Sequence, residues 1–205
     1  MQKLITISIT AILLFLSQVT MAEKYALVVA IGDYPDPGKN GWGKISSAND
    51  LPLVKTALEK QGFKPENIAT LQDAAATKEG IQQAFDALLA KVHAGDVVVI
   101  HFSSHGEQIE DDNNEEIDHL DETIVPYGAV YSYDKAKFKT LAPGYFRDDE
   151  FGEKVTQLRN KLTGKGDLLV LLDACHSGTG ARGVSELQPR GAKEPMVSDK
   201  FDVTT

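Results

Sequence analysis

Three short runs of almost unbroken apolar residues constrain this chain more than anything else in it. Residues 24–31 read Lys-Tyr-Ala-Leu-Val-Val-Ala-Ile, residues 97–102 read Val-Val-Val-Ile-His-Phe, and residues 167–172 read Asp-Leu-Leu-Val-Leu-Leu. A strand with one wet face alternates apolar and polar side chains, whereas a strand covered on both faces has no need to. Between the runs lie helical patterns. Val54, Ala57 and Leu58 share one helical face, with Asn49-Asp50 as the cap, Pro52 in the first turn and Gly62 as the stop. Thr77 caps a second helix with Ile81, Phe85, Leu88 and Val92 on one stripe, and Asp148-Asp149 open a third with Phe151, Val155, Leu158 and Leu162. Shorter strands are expected at 68–71 and 123–125. The expectation is an α/β fold, a mostly parallel sheet with helices on both faces. Right-handed crossovers bring the C-terminal ends of such strands to one edge, where sites in open α/β sheets lie.

The connections are equally legible. Residues 34–44 form a Pro/Gly-rich loop, residues 110–122 carry eight acids in thirteen positions and read as a loop, and residues 127–145 are irregular. Residues 181–205 are polar and read as loop or disorder. The N-terminus differs from all of this. Met1-Gln2-Lys3 is basic, residues 4–19 are apolar apart from Thr, Ser and Gln18, and Thr20-Met21-Ala22 ends in small residues before Glu23. That is the pattern of a secretory signal peptide, residues 1–22, and a stretch of sixteen residues is short for a membrane span. The expected location is therefore exported, periplasmic or secreted, with no stable membrane insertion after cleavage.

The 205-residue chain has a formal charge of −9, and loss of Lys3 with the leader would make it −10. This balance argues against nucleic acid as a partner and favours basic ligands or cations. A single cysteine permits no internal disulfide and no cysteine-rich zinc site.

That cysteine, Cys175, follows the third apolar run in Asp173-Ala174-Cys175-His176-Ser177-Gly178, while the second run leads into Ser103-Ser104-His105-Gly106. An imidazole that accepts a thiol's proton turns it into a nucleophile. His105 and Cys175, each after a strand and seventy residues apart, are the expected catalytic pair. The amides of Gly106 and Cys175 are the expected oxyanion donors. His176 is the less suitable base because neighbours on an extended chain point opposite ways. His101 is expected to be packed within its strand, and His93 and His119 to lie at the surface.

His105-Gly106, the acidic loop, the run 121–126 (Asp-Glu-Thr-Ile-Val-Pro), Asp148-Asp149-Glu150 and the segment around Cys175 together resemble a metacaspase-type, caspase-like peptidase over residues 25–180. The caspase pentapeptide is absent, and the His-to-Cys gap is wider than the roughly 50 residues of caspases. The resemblance implies a three-layer caspase-like sandwich and a cysteine endopeptidase with His105 and Cys175 as its dyad. It further implies cleavage after Arg or Lys, with Asp50, Asp173 and Ser103 forming the pocket for that side chain. Carboxylates suit a basic side chain and repel an acidic one. The chemistry needs no cofactor. The resemblance implies Ca²⁺ as an activator, with Asp121, Asp148 and Asp149 as the matching acids. Where the family has a further acid after the cysteine motif, this chain reads Thr179-Gly180-Ala181-Arg182.

The family's catalytic domain also continues with further strands, whereas here thirty mostly polar residues follow Cys175. The expectation is thus a sheet whose C-terminal strands are missing, with the chain truncated, completed by a second chain or a homodimer partner, or left with an incomplete site. Two alternatives stay open at this level: a non-catalytic binding module on the same fold, and a legumain-like thiol hydrolase.

Overall fold

The three apolar runs become the centre of one parallel sheet. The computed structural model describes residues 22–35, 41–174, 191–192 and 194–201. Strands β1 (Lys24–Ala30), β2 (Ile68–Gln72), β3 (Val97–Ser103) and β7 (Asp167–Asp173) pair in the order β2-β1-β3-β7, all parallel. Each crossover contains a helix: α1 (Asp50–Lys60), α2 (Lys78–Lys91) and α4 (Asp148–Leu162). The side chains alternate between two cores. Leu27, Val29, Ile31, Val98, Ile100 and Phe102 face α2 and α4, where they meet Ile81, Phe85, Leu158 and Leu162. Ala26, Val28 and Val99 face the other way and meet Leu58 of α1, with Phe63 and Ile68. The α/β architecture with helices on both faces is thus present.

Local chemistry explains most of the element boundaries. The Thr77 hydroxyl accepts the Gly80 N–H, closing the first turn of α2. Gly62 has φ +84°, a left-handed conformation that stops the chain after α1. The cap of α1 differs from expectation, because Asn49 makes no side-chain cap bond and a short 3₁₀ turn, Ser46–Asn49, leads directly into the helix. At α4 the Glu150 carboxylate accepts the Arg147 N–H, and three acids in the first turn match the positive end of the helix dipole.

Two regions carry more structure than their composition suggests. The acidic stretch read as a loop is flanked by an antiparallel hairpin, β4 (Gly106–Glu110) and β5 (Leu120–Ile124), which a short β6 (Phe146–Arg147) extends. Within 127–145 there is a single helical turn, α3 (Phe138–Leu141), with 3₁₀ turns on either side. Ile109, Ile124, Val125, Tyr145 and Phe146 join the α2/α4 core, so the hairpin is anchored by apolar burial despite its charged connection. Part of the polar tail also packs. Met196 is buried and exchanges backbone hydrogen bonds with Gln108 and Glu110 along the outer edge of β4. β7 is the outer strand of the parallel sheet among the described residues, and its Leu169, Leu171 and Leu172 are exposed.

The β3–β7 junction depends on Gly166. A Cβ there would lie 2.2 Å from the Asp96 carbonyl oxygen and 2.8 Å from Leu162 Cδ2, at the point where the Asp167 N–H reaches that same Asp96 carbonyl. Gly166→Ala is expected to lower the unfolding free energy by about 1–3 kcal/mol, as overpacking does; chemical denaturation compared with wild type checks it.

Candidate functional site

The C-terminal ends of β3 and β7 place the site. Their register is continuous from Val97 opposite Asp167 to Ser103 opposite Asp173, and the Ser104 N–H then donates to the Asp173 carbonyl at 3.2 Å. Ser104 and Ala174 therefore follow adjacent strands at one level of the sheet, with His105 next after Ser104. Cys175, with its own amide and His176, lies outside the described residues.

His105 is held from every side. Its backbone N–H donates to the Tyr34 hydroxyl at 3.0 Å, and that hydroxyl donates to the Val125 carbonyl at 2.9 Å. Because the Val125 N–H donates to the His105 carbonyl, Tyr34 bridges the gap in what would be the first rung of the β4–β5 ladder. The imidazole, 3% exposed by residue, packs at 5.1 Å from the Tyr34 ring and 5.0 Å from the Trp42 ring. Nε2 lies 2.7 Å from the Gly43 carbonyl oxygen. A carbonyl has no proton to give, so this bond requires the hydrogen on Nε2 and leaves Nδ1 as the basic nitrogen. The Gly43 carbonyl thereby sets the tautomer and orientation of the ring.

Gly106 opens β4. Opposite residues in an antiparallel ladder alternate between bonded and non-bonded pairs. With His105–Val125 a bonded position, Gly106 faces Ile124 as a non-bonded pair, and its N–H is directed away from β5, toward the outer edge that Gln108 and Glu110 use for the tail.

The acids matched to a basic side chain come together. The Ser103 hydroxyl donates to the Asp50 carboxylate at 2.6 Å, which brings the first turn of α1 to the end of β3. Asp173 is the register partner of Ser103 on the neighbouring strand, on the same sheet face. His101 is buried in β3 and His93 is exposed, as read from sequence, whereas His119 is half-buried.

The acids matched to calcium do not converge. Asp121, 1% exposed, is bound by the Arg147 guanidinium, which also reaches Asp112 at 3.2 Å and the Glu110 carbonyl at 3.1 Å. Asp148 accepts the Asp149 N–H, and Asp149 accepts from the Asn113 side chain at 2.9 Å. Among the described residues, a group of three acids whose oxygens lie within 4.8 Å of one another is instead Asp111, Asp112 and Asp121. Asp111 is committed to the backbone N–H groups of Asn113, Asn114 and Glu116. Those bonds outweigh its burial and hold its carboxyl below the usual range. Arg147 pairs with Asp112 and Asp121 of that group, and Asp148 and Asp149 lie outside it.

Several residues of the site carried no sequence signal of their own. Tyr34, Trp42 and Gly43 belong to a loop legible only as Pro/Gly-rich. Arg147 precedes a helix, where nothing distinguishes it from a surface cation. Glu107 is fully buried, its carboxylate accepting the N–H groups of Gln108 and Ala192. Burial pushes its carboxyl up to about 7 against the pull of those two bonds. Burial likewise pushes Asp121 up to about 6, opposed by Arg147.

A raised carboxyl favours the folded state while protonated. Its stabilisation is full below the ordinary value of 4.5 and is lost as the pH rises through about 7. The melting temperature is expected to fall between pH 5 and pH 8. Glu107→Gln, which retains a hydrogen-bond acceptor, should flatten that fall, removing on the order of 3 kcal/mol of pH-dependent stability. Thermal denaturation across the range measures both.

A caspase-domain family model matches residues 23–203. The chain is 33% identical over 164 residues to metacaspase-2 of Arabidopsis thaliana, covering 77% of this chain and 35% of that protein. It is 33% identical over 138 residues to metacaspase-1A of Neurospora crassa (64% and 27%), and 35% identical over 137 residues to metacaspase III c of Phaeodactylum tricornutum (64% and 36%). The match thus spans about a third of the length of these relatives. Among solved structures, a protein of Geobacter sulfurreducens superposes with a TM-score of 0.58 at 25% identity, covering 77% of this chain and 52% of that one.

Proposed function

Because the chain belongs to the caspase-domain family, we propose that it is a cysteine endopeptidase that cuts after Arg or Lys with His105 and Cys175 as its dyad. The observation that carries this reading is His105 itself: a buried imidazole with Nε2 tied to the Gly43 carbonyl, at the end of the strand paired with the one leading to Cys175. Nδ1 of His105 takes the proton of the Cys175 thiol. The thiolate attacks the scissile carbonyl, and the N–H groups of Gly106 and Cys175 hold the oxyanion. His105 then returns the proton to the departing amine, leaving a thioester. Water, deprotonated by the same imidazole, hydrolyses that thioester and frees the thiol.

Specificity for a basic side chain rests on Asp50 and Asp173, with Ser103 holding the Asp50 carboxylate in place. Two acids in one pocket attract a guanidinium and reject an acidic side chain. The apolar leader, residues 1–22, supports export to the periplasm or beyond the cell. Among the described residues no helix is long and apolar enough to cross a membrane. A second chain or a second copy of this one along β7 is the partner that its exposed Leu169, Leu171 and Leu172 favour.

Peptides with Arg, Lys or Asp before the scissile bond test the reading. Cys175→Ala and His105→Ala are each expected to lower kcat by about a thousandfold or more, and Asp50→Ala to lower kcat/KM for Arg peptides by about tenfold to a hundredfold. Wild-type turnover in Cys175→Ala removes the dyad. Equal cleavage after Arg and Asp removes the basic pocket while leaving the peptidase.

A further inference from the structure

On the His105 side of the site lies a cavity of about 720 Å³ that is lined by neither Asp50 nor Ser103. Trp42, Tyr131 and Tyr133 give it an aromatic wall, and Ala192 and Glu194 of the tail also border it. The three rings meet edge to face in sequence, Trp42 to Tyr131 at 5.2 Å and 63°, then Tyr131 to Tyr133 at 4.5 Å and 86°. They run from the indole beside the His105 imidazole, 5% exposed, to Tyr133, 57% exposed. A large exposed ring bordering such a cavity offers unused apolar area.

The polar ends of the wall turn to one another rather than to the cavity, the Trp42 indole toward the Tyr145 hydroxyl and the Tyr131 hydroxyl toward that of Tyr133, so the wall offers ring surface. The chemistry of the site gives the direction. The group that returns a proton to the leaving amine stands beside the residue that follows the scissile bond. The acids for the preceding side chain lie apart from the cavity, at the ends of β3, β7 and α1.

We infer that the cavity walled by Trp42, Tyr131 and Tyr133 is a subsite for a bulky aromatic side chain immediately C-terminal to the scissile bond of a peptide substrate. The assignment rests on the endopeptidase reading above and adds to it a preference on the leaving-group side.

The test uses two internally quenched peptides on the full-length protein, both with Arg before the scissile bond, one with Phe and one with Gly after it. The expected kcat/KM ratio favours Phe by about tenfold or more and falls below about threefold in Tyr133→Ala. Equal values for the two peptides on wild type overturn the subsite and leave the endopeptidase standing. A Phe preference that survives Tyr133→Ala overturns its assignment to these rings. Cleavage of neither peptide is a failure of the endopeptidase reading, and the subsite is then judged by binding. Trp42 is the chain's single tryptophan, so its emission is titrated with Phe-Gly amide, the fragment that would leave. A saturable change that disappears in Tyr133→Ala supports the subsite, and an emission that does not change overturns it.

Discussion

The in-register pairing of β3 with β7 is the constraint on which the rest depends. Seven consecutive residue pairs, from Val97–Asp167 to Ser103–Asp173, fix two strand ends at the same height. A slip of one residue would send every side chain of β7 to the opposite face. Asp173 would then leave the face that holds Ser103 and Asp50. The α2/α4 core resists such a slip on one side, since Leu168 and Val170 pack into it. The geometry of the site is therefore a consequence of how apolar side chains sort between two cores, before any polar contact is made.

The second shaping element is the hairpin that follows His105. It enters the protein through its apolar residues and leaves a charged connection at the surface. Its first rung is completed by a hydroxyl from a distant loop, the Tyr34 bridge between His105 and Val125. One side chain thus couples the loop after β1, the residue after β3 and the end of β5, and the His105 backbone is held between them. The far edge of β4 is used as well. Gln108 and Glu110 bond the tail through their backbone, while the buried carboxylate of Glu107 accepts the Ala192 N–H. The polar tail thereby becomes a wall of the cavity beside His105.

Charge is organised by burial rather than by count. The stretch 110–122 is dense in acids, yet the structural ones are few. Asp121 is buried against Arg147, and Asp111 is held by backbone N–H groups. Breaking a buried pair exposes the remaining charge to a low-dielectric surrounding, which is why such an arginine is retained once the acid is inside.

How much of this was legible follows from the range over which each signal acts. The apolar runs, the stripes at 81–92 and 151–162 and the Thr77 cap are patterns within a few residues, and the structure contains all of them. His105 stood out only in combination, as an imidazole after one buried strand with the single cysteine after another, and Asp50 and Ser103 because they fit a family pattern. The hairpin flanking the acidic stretch was hidden, since its strands are short and their charged faces mask a two-residue period. Tyr34, Gly43, Glu107 and Arg147 were silent for a different reason: each acts across more than twenty residues, on a partner that only folding supplies. The sequence by itself determined the parallel sheet, its covering helices and the edge at which chemistry can occur, because local periodicity dictates which faces must be buried. Only the tertiary structure decided which imidazole nitrogen carries its hydrogen toward the Gly43 carbonyl, which carboxylates meet and which are sequestered, because those depend on distances between segments that no local pattern encodes.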